Sequence, residues 1–398
     1  MSRNVPNLRF KGFEDEWKEK KLINFLSESR IPGSNGSKAK KLTVKLWAKG
    51  VVPKKEIYEG SDNTKYYTRK AGQLIYGKLD FLNCAFGIVP DHLDGYESTV
   101  DAPAFDIKNI NPYFLFSKII QKNFYKRNGD IADGSRKAKR IHSDVFLNMS
   151  IKVPSLQEQE KIANFLSKVD SIIEKQEKKV EYWNSYKKGM MQKIFSQKIR
   201  FKDENGRIYS KWEKKKICQL GEIITGNTPS KNNLDYYYNG GENKFTWITP
   251  TDIKQQKNIY EGATNLTEKG YDICRKLPIN TVLVTCIASI GKNAILKSLG
   301  SCNQQINAIV ANKENYYEFI YYLMEHNSYI LKRFAGITAT PILNKTDFSR
   351  LTFNVPVIEE QTKIANFLSN IDNIIEKESK KLEELKQWKK GLLQQMFV

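Results

Sequence analysis

Histidine is nearly missing from this chain. Only His92, His142 and His326 occur in 398 residues, and none has a partner at the spacing a metal site needs. Cysteine is scarce as well. Cys84, Cys218, Cys274, Cys286 and Cys302 are odd in number and form no CxxC pair, which suits reduced thiols and a cytoplasmic setting and disfavours a disulfide frame or zinc site. No stretch approaches the roughly 18 consecutive apolar residues of a membrane span. The opening MSRNVPNLRFKGFEDEW has no apolar core of signal-peptide length, so neither membrane insertion nor export is expected. Paired carboxylates, a Ser/His/Asp set and a metal cluster are all missing to the eye. No catalytic residue and no metal site is expected, and the chain reads as a binding protein.

Two strings imitate catalytic motifs. Asn111-Pro112-Tyr113-Phe114 lacks the second proline of the Asn/Asp-Pro-Pro-Tyr/Phe motif of adenine methyltransferases, and no glycine-rich strand–turn–helix precedes it. A turn or helix start is the expectation there. Gly129 to Gly134 has the gap of a phosphate loop, but Ser135-Arg136 stands where Lys-Ser/Thr is required.

What is present is positive charge and a repeat. The formal net charge is +21, and residues 23–157 hold +9 of it while the linker 196–217 holds +5. Such surfaces favour phosphate backbones or anionic membranes. From Ile31 to Lys55 there are seven lysines and no acid: Lys38, Lys40, Lys41, Lys45, Lys49, Lys54 and Lys55. Tyr66, Tyr67, Arg69 and Lys70 follow, mixing aromatics with cations, and Arg136, Lys137, Lys139 and Arg140 form a second cluster. Lys and Arg neutralise phosphates, and Arg can pair bidentately with guanine. These are the candidate DNA contacts of the first half. In the second half the candidates are polar: Asn227, Thr228, Ser230, Lys231, Thr249, Thr251, Lys254, Thr338 and Thr340.

Residues 153–195 recur as residues 355–397, identical at 24 of 43 positions with a constant offset of 202. In each copy apolar residues fall at steps of three and four, including Ile162, Phe165, Leu166, Val169, Ile172 and Ile173, then Ile364, Phe367, Leu368, Ile371, Ile374 and Ile375. That spacing predicts a long amphipathic helix, about 54 Å for roughly 36 residues, whose stripe needs a partner helix. The nearest candidate is the duplicate, paired antiparallel as a coiled coil. Ser155 with Glu158 could form a capping box, which the second copy lacks. The segments before the helices, residues 20–152 and 215–354, have the β-branched and aromatic texture of mixed α/β domains, as in Gly72–Phe81 and Asn280–Ile290. Their likeness to each other survives at their frames. Arg9-Phe10-Lys11 and Trp17 recur as Arg200-Phe201-Lys202 and Trp212, and Gly134 falls opposite Gly336.

Together these features resemble the specificity subunits of type I restriction-modification systems. The likeness rests on Pro154, Glu158, Gln159 and Ile162, repeated as Pro356, Glu360, Gln361 and Ile364. It rests also on the ends Lys187-Lys188-Gly189 and Lys389-Lys390-Gly391, and on the strings TGNTPS, TWITPTDI, SIGKNAI and CNQQINAI. The first domain departs more from such strings. The resemblance implies an α+β chain with a pseudo-twofold internal duplication. Target-recognition domains would lie at 1–152 and, after a linker, within 196–354, with spacer helices at 153–195 and 355–398. Each domain would read one half of a bipartite, asymmetric double-stranded DNA site. The helices would set the unread spacing and dock two methyltransferase (modification) subunits, with Ile162, Phe165, Leu166, Val169, Ile173, Ile364, Phe367, Leu368, Ile371 and Ile375 as pairing and docking residues. S-adenosylmethionine, ATP and Mg would belong to those partners and to two restriction/translocase subunits, and no cofactor to this chain. The other open reading is a coiled-coil scaffold that binds RNA or DNA and recruits no enzyme.

Overall fold

The computed structural model describes residues 4–55, 61–129, 140–240, 244–254, 256–335 and 341–398. The chain forms two compact units, Met1–Glu177 with Lys380–Val398, and Lys178–Ser379. Each unit takes a body of short strands and part of both long helices. The helices run Leu156–Phe195 and Ile358–Met396, 40 and 39 residues. They start three residues later than the repeat does, because Val153 and Val355 still belong to strands. Among the described residues no helix is long and apolar enough to cross a membrane.

In the first unit a four-stranded antiparallel sheet is ordered Leu26–Ser29, Ala104–Ile107, Leu74–Tyr76, Phe86–Ile88. One side of it is filled by rings. Tyr76 stacks on Phe105 with centroids 5.9 Å apart, and Phe81, Phe86 and Phe146 close around them. Burying each such ring contributes about 1.5–3 kcal/mol. A smaller sheet joins Pro32–Asn35, Lys65–Thr68 and Glu97–Ser98, and a separate hairpin pairs Leu42–Val44 with Val51–Pro53. Asn111 caps the helix Pro112–Ile119: its side chain accepts from Phe114 N, and Pro112 sits where no N–H is needed. The methyltransferase look-alike is a helix start.

The second unit has a five-stranded sheet, ordered Gly221–Thr225, Ile306–Ala311, Thr281–Thr285, Asn293–Leu296, Asn258–Ile259, with only the last pair parallel. Thr281–Thr285 is buried at every position, which explains its run of β-branched residues and leucine. Thr264–Leu266, Phe245–Ile248 and Gly300–Cys302 make a further sheet. Mostly antiparallel sheets with segregated helices give the α+β class.

The helix segments within each unit run antiparallel. In the first, Asp170 meets Lys389 and Glu177 meets Lys386; in the second, Lys179 meets Glu378 and Lys187 meets Asp372. The apolar stripes do more than pair helices. Ile162, Leu166, Val169 and Ile173 share one core with Leu392, Met396 and Phe397 and also with Trp17, Phe114 and Ile151 of the body. Ile364, Leu368 and Ile371 likewise share theirs with Met191 and Ile194 and with Trp212, Phe348 and Phe353. Phe165, Phe367 and Ile375 are half-buried against the same cores. Ile172 departs from the expected stripe, lying 48 % exposed.

Candidate nucleic-acid interface

The repeated residues build one joint twice. In the first unit the guanidinium of Arg9 donates from Nε and Nη2 to the two oxygens of Glu158, each at 2.8 Å, and Trp17 Nε1 donates at 3.4 Å. In the second, Arg200 makes the same two bonds to Glu360, each at 2.8 Å, and Trp212 Nε1 donates at 3.1 Å. The carboxylates are buried, and these hydrogen bonds raise the arginine pKa values above the ordinary one. Phe10 meets Phe165 edge-on at 5.7 Å, and Phe201 meets Phe367 at 5.7 Å. The glutamine that follows each glutamate ties the body to the helix. Gln159 Oε1 accepts from Asn111 N and its Nε2 donates to Pro154 O, as Gln361 does with Tyr316 N and Pro356 O. Ser155 accepts from Glu158 N, but the glutamate serves Arg9, so the expected capping box is half made.

The two bodies held by these joints present different surfaces. In the first, Lys38, Lys40, Lys45, Lys49, Lys54 and Lys55 are exposed on and beside the hairpin Leu42–Val44/Val51–Pro53, and Lys70 is exposed elsewhere on the body. Lys70 lies 3.8 Å from Asp94 and Arg140 lies 3.6 Å from Asp101. Two expected contacts are corrected. Arg69 is 1 % exposed; it donates to Ser98 Oγ, Ser29 O and Ala102 O, and burial lowers its pKa to about 10. Lys41 is 6 % exposed, its ammonium 5.6 Å from the Tyr66 ring centroid. Both cations are held in the interior. Tyr66 and Tyr67 are half-buried, the latter against the Arg69 guanidinium. Arg136, Lys137 and Lys139, with Gly134, lie outside the described residues.

One feature of this face escaped the sequence reading. The hairpin closes through residues 45–50, with Lys45 N donating to Gly50 O. Inside that loop Trp47 has φ +60° and Ala48 φ +52°, and Gly50 adopts φ +91°, where lack of a Cβ makes it cheap. A left-handed conformation costs a tryptophan or alanine about 1–2 kcal/mol each. Backbone bonds from Trp47 N to Asn83 O and from Ala48 N to Cys84 O, both 2.8 Å, hold the strain in place. The Trp47 side chain is 54 % exposed between exposed Lys45 and Lys49. No pattern of spacing marks a lone tryptophan in a lysine run, which is why it was missed.

In the second body several polar candidates serve their own loops. Asn227 Oδ1 accepts from Arg275 N at 2.8 Å, and its Nδ2 donates to Ile273 O at 3.2 Å. Gly226 before it lies so near Cys302 O that a Cβ would sit 2.0 Å away, so the turn requires glycine. Thr228 donates to Gln304 at 2.5 Å, and Thr249 Oγ1 donates to Asp252 Oδ2 at 2.7 Å. Ser230, Lys231, Thr251 and Lys254 are exposed. Thr338 and Thr340, with Gly336, lie outside the described residues. Among the described residues no group of three His, Cys, Asp or Glu is placed to hold a metal.

Comparison with known proteins agrees with this architecture. Residues 102–182 and 209–387 match the family described as type I restriction modification DNA specificity domain. The specificity subunit of the type I restriction enzyme MjaIX of Methanocaldococcus jannaschii is 34 % identical over 211 residues, 51 % of this chain and 48 % of that protein. That of the type I restriction enzyme HindI of Haemophilus influenzae is 32 % identical over 185 residues, 44 % of this chain and 39 % of the other. The chain thus spans about half the length, or less, of these relatives. The crystal structure of a type I restriction-modification system S subunit from M. genitalium superposes with a TM-score of 0.59, covering 99 % of each chain at 14 % identity.

Proposed function

Because this chain belongs to the type I restriction modification DNA specificity family, we propose that it is the non-catalytic, sequence-specific DNA-binding subunit of a type I restriction-modification complex. Each body reads one half of a bipartite, asymmetric site. The paired helices set the unread spacing and dock two methyltransferase subunits, which bring S-adenosylmethionine; restriction subunits bring ATP, Mg and cleavage. Such a complex works in the cytoplasm.

The observation that carries this reading is one joint built twice around two unlike bodies. Arg9, Glu158 and Trp17 are reproduced by Arg200, Glu360 and Trp212, yet the sheets and surface chemistry above them differ. A frame repeated within one chain suits two copies of one enzyme partner, and unlike bodies suit unlike half-sites. Exposed lysines of the first body supply the phosphate attraction from which sequence reading starts. Helices of 40 and 39 residues, about 60 Å long at 1.5 Å per residue, exceed the roughly 34 Å turn of DNA between two half-sites.

The test is methylation in vitro with purified full-length chain, S-adenosylmethionine and DNA. The chain alone transfers no methyl group, and adding modification subunits produces methylation at one bipartite sequence. Methylation by the chain alone, or no stable complex with modification subunits, would refute the assignment.

A further inference from the structure

We propose that Trp47 is a base-stacking wedge, inserted by the basic hairpin at a flexible step of duplex DNA. This rests on the DNA-binding reading above and adds to it a residue, a ligand surface and a mode of recognition.

Three observations converge on this residue. First, the indole is 54 % exposed although tryptophan gains much from burial. Second, its backbone is fixed in the left-handed region, with Trp47 N donating to Asn83 O and the next residue, Ala48 N, to Cys84 O, both at 2.8 Å. The turn could be made cheaply with Asn or Gly, and this chain places Trp and Ala there instead. Strain held by surrounding bonds at an exposed position marks a side chain aimed for use. Ala48, half-buried against the aromatic core, seats the loop on the body. Third, Lys45 and Lys49 flank the indole within the acid-free stretch 31–55. A protein partner would need an acidic surface to meet that loop, whereas a duplex offers phosphates for the lysines and base faces for the ring.

The physical consequence is recognition by deformability. An apolar wedge partly unstacks the step it enters and kinks the duplex. Pyrimidine–purine steps such as TA yield most easily, and A-tracts resist. The hairpin therefore favours a half-site with a flexible step at a place where no base-edge hydrogen bond is made.

The experiment measures binding of the full-length chain to two duplexes of about 40 bp, one carrying TA steps and one an A-tract. Wild type, Trp47→Ala, Trp47→Phe and the double variant Lys45→Gln/Lys49→Gln are compared. Wild type prefers the TA duplex. Trp47→Ala loses roughly tenfold on that duplex and little on the A-tract, so the preference collapses, while Trp47→Phe keeps most of it. The lysine variant weakens both duplexes alike, with a shallower salt dependence. If Trp47→Ala binds both duplexes as wild type does while the lysine variant weakens both, the wedge is refuted and the DNA-binding reading stands. If Trp47→Ala instead impairs only association with modification subunits, the indole serves a protein interface and the wedge is equally refuted. Failure of wild type to bind either duplex would overturn both readings.

Discussion

Lys187 Nζ lies 2.8 Å from Asp372 Oδ1, and the pair has a reciprocal twin in Lys389, 202 positions after Lys187, with Asp170, 202 positions before Asp372, whose Nζ and Oδ1 are 2.5 Å apart. In both, a tyrosine of the body donates to the same aspartate: Tyr322 OH to Asp372 and Tyr113 OH to Asp170. The chain thus fastens helix to helix and helix to body through one carboxylate. In the second unit Lys187 also meets Glu325 at 3.0 Å.

Replacing Lys187 by Met leaves Asp372 and Glu325 close together without their cation. Burial lowers the lysine pKa by itself, but Glu325 and Asp372 outweigh it and the net shift is upward, so the ammonium is held charged. Urea unfolding at pH 7 should show a loss of about 3 kcal/mol. Burial raises the Glu325 pKa, so the folded state binds that proton more readily than the unfolded chain. The deficit of the variant therefore shrinks as pH falls through the raised Glu325 value. A deficit unchanged by acid would contradict the placement of these charges.

Arg69→Met separates fold from binding. Four acceptors, Ser98 Oγ, Ser29 O, Thr99 O and Ala102 O, lose a guanidinium donor, costing about 2–3 kcal/mol in urea unfolding. Duplex affinity under native conditions stays at the wild-type value, because the guanidinium faces the interior. A variant of normal stability that lost DNA affinity would place Arg69 on the wrong side of the sheet.

His326 stacks on Phe195, the last residue of the first long helix, with centroids 4.7 Å apart, and burial lowers its pKa. The unfolded chain then binds this proton more readily, so stability declines as pH falls below the ordinary histidine value of about 6.5 toward the lowered one. His326→Phe should remove that part of the decline while leaving stability at pH 8 nearly unchanged. Parallel thermal melts of both proteins between pH 5 and pH 8 check this, and identical slopes would refute it.

Insertion of one helical turn, roughly four residues, at matched places in both long helices should change the number of unread bases between half-sites and leave the half-sites themselves alone. Sequencing the methylated sites of a host carrying the variant reads the spacing directly. An unchanged spacer would remove the helices from that role.

The helical frame was legible in the sequence because its logic is local and periodic. The stripes Ile162 to Ile173 and Ile364 to Ile375 follow the helical repeat, and duplication doubled their signal. The recurrence of Arg9 and Trp17 as Arg200 and Trp212 was visible too, though not its cause, since the glutamates they bind lie 149 and 160 residues beyond the arginines. The tyrosines that reach Asp170 and Asp372 were hidden, because Tyr113 and Tyr322 do not stand at the common offset. The basic surface was misread at two residues. Residue type alone marks Lys41 and Arg69 as solvent-facing, and only the fold shows that backbone carbonyls and a ring hold them inside. Trp47 illustrates the converse: exposure of a large ring, and the backbone strain beneath it, are properties of three-dimensional placement.

If two unlike bodies on one duplicated frame read two half-sites independently, exchanging one body should change one half-site alone. The decisive measurement exchanges residues 23–152 for the corresponding segment of another member of the family and maps every methylated site in a host carrying the chimaera. One half of the recognised sequence should change, while the other half and the spacer length remain as in the parent. A chimaera that alters both halves, or neither, would contradict independent reading.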